Sequence, residues 1–171
     1  MRVLYIIVLI FVSFACKTNK CIETENKFVK NNNICPEDGI CTFDIIKNKA
    51  YSIKTDKFGN SYSELLEGKN TVLKFEYKRN EQDEIQDSSY KEVVYIEINS
   101  NELNITDLNL KNTTVGFERL CFCRGQTGAY SVLEGILILT KIREKEYNLV
   151  LNFKIKEVPQ IITAINENFE L

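Results

Sequence analysis

The chain has 171 residues, a formal net charge of −2 and no histidine. Its 22 basic and 24 acidic residues are interspersed, and no basic stripe points to a nucleic-acid partner. Without histidine the chain lacks the commonest general base and the commonest transition-metal ligand, which argues against Ser-His and Cys-His hydrolases. The sequence accordingly predicts no catalytic residue, no cofactor and no metal site.

Residues 1–15 have the pattern of a secretory signal peptide. Arg2 supplies a positive charge, an apolar run follows, and the small residue Ala15 precedes Cys16. The run is shorter than the roughly 20 residues that a bilayer-spanning helix needs. A small residue followed directly by cysteine is typical of a lipoprotein signal, so Cys16 is the predicted lipidation site. The alternatives are an ordinary signal peptide cleaved near Ala15, with Cys16 as a plain thiol, and an uncleaved anchor.

Residues 16–33 are predicted to be a flexible tether between a lipid anchor and the folded domain. They are polar, rich in lysine and asparagine, and have little to bury. Two or more acyl chains, such as palmitate, attach a protein stably to a membrane. The expected location is therefore the cell envelope, most simply the outer membrane, with its periplasmic and external sides left open.

Residues 34–171 are predicted to form a single β domain, close to the usual domain size. On residues 71–78, Leu73, Phe75 and Tyr77 share one face and charged residues share the other, as on a half-buried strand. The segment 79–91 is then the charged tip of a hairpin, and 143–146 links a second hairpin. The predicted strands are, in chain order, residues 41–46, 50–55, 71–78, 93–98, a weaker one at 103–110, 115–124, 135–142 and 147–155.

The segment after Pro159 fits two structures. The prediction is a short C-terminal helix, one face of which would be lined by Ile161, Ile162, Ile165 and Phe169. The alternative is a short edge strand. Together the elements predict an all-β fold, a seven- to eight-stranded antiparallel β-sandwich, with a small β-barrel as the alternative.

The six cysteines are Cys16, Cys21, Cys35, Cys41, Cys121 and Cys123. Cys21 lies in the tether and is left over once Cys16 is lipidated, and the last four are expected to form disulfides in an oxidising compartment. Four cysteines allow three connectivities. Cys121 and Cys123 lie in one predicted strand, about 7 Å apart, which favours two long-range bridges to the Cys35–Cys41 segment. A four-thiolate zinc site and a redox-active pair are alternatives whose usual spacings differ from those present.

The stretch after Cys123 is the most unusual in the chain. Its glycines permit tight turns, and its arginine, glutamine and tyrosine offer hydrogen-bond donors and an aromatic face. The candidate binding loop comprises Arg124, Gly125, Gln126, Thr127, Gly128 and Tyr130. Its plainer interpretation is a connection between two strands. Tyr62 and Tyr90, near other loops, are weaker candidates for exposed anchors.

Two cysteine blocks, residues 35–41 (CPEDGIC) and 119–128 (RLCFCRGQTG), resemble those of small uncharacterised lipoproteins of flavobacteria. The loose lipoprotein box that ends at Cys16 is likewise similar to those of Bacteroidetes lipoproteins. The resemblance implies a compartment and carries no activity.

The leading hypothesis is a non-enzymatic envelope lipoprotein whose disulfide-stabilised β domain binds a protein or a small ligand through its loops. Its expected partners are the membrane, through the lipid anchor, and an envelope protein, but not nucleic acid. One alternative is an inhibitor of envelope enzymes. Another is a hydrolase, which would need two carboxylates about 5–10 Å apart across a cleft.

Overall fold

The computed structural model describes residues 35–81 and 87–171; the predicted signal peptide, Cys16, Cys21 and the tether lie outside the described residues. The described residues contain nine strands and no helix, so the predicted all-β class is confirmed. The strands are β1 (Gly39–Thr55), β2 (Ser61–Arg79), β3 (Tyr90–Ile98), β4 (Ile105–Asp107), β5 (Thr114–Cys121), β6 (Gly128–Ser131), β7 (Glu134–Lys141), β8 (Glu146–Lys154) and β9 (Ala164–Glu170).

The strands form two antiparallel sheets that pack as a β-sandwich. Sheet A has the order β1-β2-β3-β5-β6 and sheet B the order β4-β7-β8-β9. The sheets do not close on each other, so the sandwich is confirmed and the barrel alternative is wrong. Both predicted hairpins are present, β2 with β3 and β7 with β8.

The main core lies between the two sheets and follows from the alternation of side chains along each strand. Leu73, Phe75 and Tyr77 of β2 are buried on the inner face of sheet A, as their spacing predicts. Ring pairs join the sheets, with centroids 5.5 Å apart for Phe43 and Phe169 and 6.1 Å apart for Phe117 and Phe153. Aromatic side chains bury large apolar areas, so these contacts help to hold the two sheets together.

A long β1–β2 hairpin folds over part of the outer face of sheet A. The predicted strands 41–46 and 50–55 are one strand, bent where the register shifts between Lys47 and Lys49. The Tyr51 ring stacks on Tyr95 of β3 at 4.9 Å between centroids, within a second, smaller core cluster. A Cβ on Gly116 would lie 2.1 Å from the Tyr51 hydroxyl oxygen, so this close approach requires glycine.

The predicted C-terminal helix is wrong, because residues 164–170 form the edge strand β9 of sheet B. Ile165, Glu167 and Phe169 are buried and alternate with Asn166 and Asn168, a period of two that fits a strand and not a helix. The helical spacing of the isoleucines before the strand came from a loop whose apolar side chains also reach the core.

Two predicted strands are shorter or less buried than expected. The weak strand 103–110 is reduced to β4, because the Asp107 carboxylate accepts hydrogen bonds from the amides of Lys111, Asn112 and Thr113 and so closes a loop. Strand β7 is apolar on both faces, yet Ile136 and Ile138 are exposed.

Candidate functional site

The cysteines form two local disulfides, Cys35–Cys41 and Cys121–Cys123, with Cα–Cα distances of 5.9 Å and 5.1 Å. The predicted long-range bridges are therefore wrong. Cys41 lies on β1 and Cys121 on β5, which are three strand spacings apart in sheet A, or about 14 Å. A disulfide needs Cα atoms within about 7 Å. Strand β5 ends at Cys121, and the turn that follows brings Cys123 back within range.

The pairing also bears on the metal alternative. Each sulfur is bonded to a neighbour along the chain, so the four cysteines do not form a four-thiolate site. Elsewhere in the described ranges, no group of three or more histidine, cysteine, aspartate or glutamate side chains is placed to hold a metal ion.

The first disulfide loop, residues 35–41, is held by hydrogen bonds to β2. Asp38 accepts hydrogen bonds from the Tyr77 hydroxyl at 2.7 Å and from Arg79 Nε at 3.1 Å. The hydrogen bond from Tyr77 and the positive charge of Arg79 hold the pKa of the Asp38 carboxyl below its ordinary value, although burial acts to raise it. The loop is further closed by the Gly39 amide, which donates to the Pro36 carbonyl at 3.1 Å.

The second disulfide loop, residues 121–127, is held by Arg119. Arg119 Nη1 donates to the Gln126 carbonyl at 3.2 Å and to Gln126 Oε1 at 2.9 Å, and the Thr127 hydroxyl donates to the Arg119 carbonyl at 2.9 Å. The Gln126 amide donates to the Cys123 carbonyl at 2.9 Å. Gly125 has a φ of 71° in this turn, a conformation that favours glycine.

The structure divides the candidate binding loop between this turn and a strand. Arg124, Gly125, Gln126 and Thr127 are exposed around the turn, whereas Gly128 and Tyr130 belong to β6, at the edge of sheet A. Tyr130 is half-buried, and its hydroxyl donates to the Thr127 carbonyl at 3.4 Å. Residues 122–127 connect β5 to β6, as in the plainer interpretation, and only the first four residues of the candidate loop form an exposed turn.

Tyr90 lies between the two arginines that hold the disulfide loops. The guanidinium carbons of Arg79 and Arg119 lie 4.6 Å and 5.2 Å from its ring centroid. The Tyr90 hydroxyl donates to the Glu92 carboxylate and accepts from Arg119 Nε at 3.1 Å. Burial and the bond to Glu92 raise the pKa of Tyr90 to about 12. The expectation of an exposed Tyr90 is wrong, since only 8% of it is accessible.

Glu92 joins this network to the other sheet. Its carboxylate accepts hydrogen bonds from the Ile161 amide at 2.7 Å and the Ile162 amide at 2.8 Å, in the loop before β9. The buried carboxylate of Glu118 likewise accepts from the Ser63 amide at 3.0 Å. Both carboxylates accept hydrogen bonds from main-chain amides, so their role is to stabilise the fold.

On the outer face of sheet A, the same end of the sandwich presents five side chains that we call the end surface. Antiparallel register places four of them in one row across β1, β2, β3 and β5, and the fifth follows β5. In this order they are Ile40, Lys78, Lys91, Leu120 and Phe122. Phe122 is 73% exposed and Ile40 65% exposed, so the end surface presents large apolar side chains to solvent.

Charged groups surround the apolar part of the end surface and are mutually paired. Lys78 Nζ lies 3.1 Å from a Glu81 carboxylate oxygen, and Lys91 Nζ lies 3.7 Å from one of Glu76. Burial acts to raise the pKa of the Glu76 carboxyl, but the hydrogen bonds and charges of Lys74 and Lys91 outweigh it and lower that pKa. The lysines and carboxylates, with Leu120 and Phe122, line an open depression of about 590 Å³.

Sequence reasoning missed most of the end surface. The alternation of β2 places Lys78 on the outer face, but nothing local shows that Ile40, Lys91 and Leu120 join it in a row. That row depends on the register of four strands, and it brings Ile40 and Leu120 to one surface although they lie far apart in the sequence.

Comparison with known protein families, curated proteins and solved structures found no match. Within residues 35–81 and 87–171, no helix has the length and apolar character that crossing a membrane would require. The physical evidence on function is therefore the geometry of the end surface and the two disulfide loops.

Proposed function

We propose that the chain is a non-enzymatic lipoprotein of the cell envelope whose β-sandwich binds a partner protein through the end surface. In this proposal Cys16 carries the lipid and residues 16–33 link it to the domain. The partner approaches the end of the sandwich at which β5 finishes and the exposed turn 121–127 begins.

The single observation that carries the proposal is the exposure of Phe122. Its side chain is 73% accessible although the bond between Cys121 and Cys123 and the bonds of Arg119 hold the turn in place. An aromatic side chain presented on a constrained turn binds at a low cost in conformational entropy, and aromatic residues are enriched at protein–protein interfaces.

The shape and charges of the site favour a protein over a small molecule. Small-molecule sites are concave and enclose most of their ligand, whereas the depression beside Phe122 is open to solvent. Its charged groups are already paired in ion pairs. Such a mixture of apolar side chains with a polar rim is typical of protein–protein interfaces.

The test compares Phe122→Ala with Phe58→Ala in affinity capture from envelope extracts. Phe58 is also an exposed phenylalanine, 77% accessible, but it lies in the turn between β1 and β2. We expect a protein that is recovered with the wild type and with Phe58→Ala, and at least about tenfold less with Phe122→Ala, as for an interface hot spot. Equal recovery with both variants would overturn the proposal.

The anchor is tested separately. Cys16→Ser is expected to move the chain from the membrane fraction to the soluble fraction and to remove fatty-acid labelling, because the acyl chains supply the membrane affinity. Wild-type protein without an attached lipid would refute this part of the proposal. Cys21→Ser is the matched control and should leave labelling unchanged.

One observation favours a second candidate function, the inhibition of an envelope enzyme. The turn 121–127 projects beyond the end of β5 and carries Phe122 at its start, so it has the form of a loop that enters a cleft. Loss of inhibition of the captured partner by Phe122→Ala, with Phe58→Ala unchanged, would distinguish inhibition from simple binding.

A further inference from the structure

We infer that the Cys121–Cys123 disulfide is an exchangeable bond that reacts with a cysteine thiol of the bound polypeptide. The inference rests on the proposed function, because the proposed interface supplies the polypeptide. The reaction itself depends only on the two sulfurs and their surroundings.

The two disulfides differ in how they are packed. Cys35, Cys41 and Cys121 contact the main core, whereas Cys123 lies outside that cluster. Cys123 follows the end of β5 and is flanked by exposed residues on both sides, Phe122 and Arg124. Exchange requires a thiolate to reach one sulfur of the bond, and we assign the attack to Cys123 because Cys121 is packed against the core and Cys123 is not.

The two disulfides also differ in the loops that they close. Cys121 and Cys123 are separated by two positions in sequence, and Cys35 and Cys41 by six. In the chain-entropy model, the shorter closed loop gives the smaller stabilisation of the oxidised, folded state. Disulfides that are weakly stabilised and accessible are the labile ones.

The surroundings of Cys121 suit a leaving thiolate. Arg119 is two residues earlier on the same face of β5, and Cys121 pairs in register with Tyr90, which both Arg79 and Arg119 flank. The carboxylate of Glu92 also lies in this network, but it accepts hydrogen bonds from main-chain amides and from the Tyr90 hydroxyl. Nearby positive charge stabilises a thiolate and so favours its departure.

The step is a thiol–disulfide exchange that balances without another reactant. The partner thiolate attacks Sγ of Cys123, and a new partner–Cys123 disulfide forms while the Cys121–Cys123 bond breaks. The electron pair goes to Sγ of Cys121, which takes up the proton that the partner thiol lost to solvent. The product is a covalent complex, which the Cys121 thiolate can resolve by the reverse attack. Phe122, between the two cysteines, brings an apolar stretch of polypeptide next to the bond.

The experiment uses the full chain with Cys16→Ser and Cys21→Ser, so that the two bridges are the only reacting sulfurs. The oxidised protein is treated with glutathione and, separately, with two ten-residue peptides that each carry one cysteine. In the apolar peptide the cysteine is flanked by leucine and valine, and in the polar peptide by serine and glycine. Adducts are trapped with acid and located by peptide mass mapping. We expect adducts on Cys123 to form at least about tenfold faster than adducts on Cys35 or Cys41.

A variant separates the role of Phe122 from that of the sulfurs. The apolar peptide is expected to react several-fold faster than the polar peptide, and Phe122→Ala should bring the ratio of the two rates close to one. Equal rates at both bridges, or adducts on Cys121 in place of Cys123, would overturn the inference. The two proposals fail in different experiments. Partner capture that does not depend on Phe122 would contradict the proposed function, whereas the reaction with glutathione tests the disulfide without any partner.

Discussion

The two disulfide loops lie at the same end of sheet A, one at β1 and the other at β5, and different contacts hold them in place. The loop 35–41 includes the start of β1 and is held by Asp38, which accepts hydrogen bonds from Tyr77 and Arg79. The loop 121–127 follows β5 and is held by Arg119 through Gln126. The first loop packs both of its sulfurs on the core, whereas the second packs only one.

This difference indicates two roles. The Cys35–Cys41 disulfide stabilises the fold, whereas the Cys121–Cys123 disulfide holds the turn that exposes Phe122. Tyr90 lies between Arg79 and Arg119, so both loops are held by one network of the sheet. Both loops expose an apolar side chain, Ile40 in the first and Phe122 in the second, but only the second loop exposes an aromatic ring. The shared network keeps that loop in position, and its sparse packing leaves it accessible.

The largest effect is expected from Glu92→Ala, which removes the acceptor at the centre of the network. The Ile161 and Ile162 amides and the Tyr90 hydroxyl would lose their partner, at a cost of about 3 kcal/mol in the free energy of unfolding. Urea unfolding of the wild type and the variant, with the disulfides intact, measures this change in the free energy of unfolding. Glu134→Ala, which removes an exposed ion pair with Lys156, is the control and should cost less than about 0.5 kcal/mol. Equal losses would show that the network is not central.

Removing the bridges one at a time tests the comparison directly. The double substitution Cys35→Ser with Cys41→Ser is expected to lower the free energy of unfolding by about 2 kcal/mol, and Cys121→Ser with Cys123→Ser by about 1.5 kcal/mol, because the second bridge closes the shorter loop. Chemical denaturation of both variants gives the two values. The reverse order would mean that the second bridge is the structural one.

Acid should weaken the first loop through Asp38. Its pKa is lower in the folded state than in the unfolded chain, so its stabilising effect is complete above the unfolded pKa and disappears as the pH falls through the folded pKa. The amide signals of residues 36–41, followed by NMR between pH 6 and pH 2, should shift with a midpoint below the ordinary aspartate value of about 3.9. In Asp38→Asn this transition should vanish while the signals of residues 121–127 keep their own pH profile.

The smallest effect on stability is expected from Phe122→Ala. The side chain is mostly in solvent, so the free energy of unfolding should change by less than about 0.5 kcal/mol. Thermal and urea unfolding of the variant measure this. A loss of several kcal/mol would mean that Phe122 supports the fold, and its exposure would no longer argue for an interface.

The candidate site was only partly predictable from the sequence. The four cysteines and the turn at Arg124 and Gly125 were identified from residue types and spacing. The end surface was not, because Ile40, Lys91 and Leu120 come together only through strand register. The disulfide connectivity was also wrong, since it depends on strand order in the sheet.

The sequence by itself determined the all-β class, the two hairpins and the inner face of β2, because side-chain alternation with a period of two is a local property of the chain. Tertiary structure alone decided that the C-terminal apolar residues end in an edge strand, that β1 bends so that Tyr51 lies over Gly116, and which cysteines pair. These features depend on which strands become neighbours, and neighbours in a sheet are chosen by the packing of the whole domain.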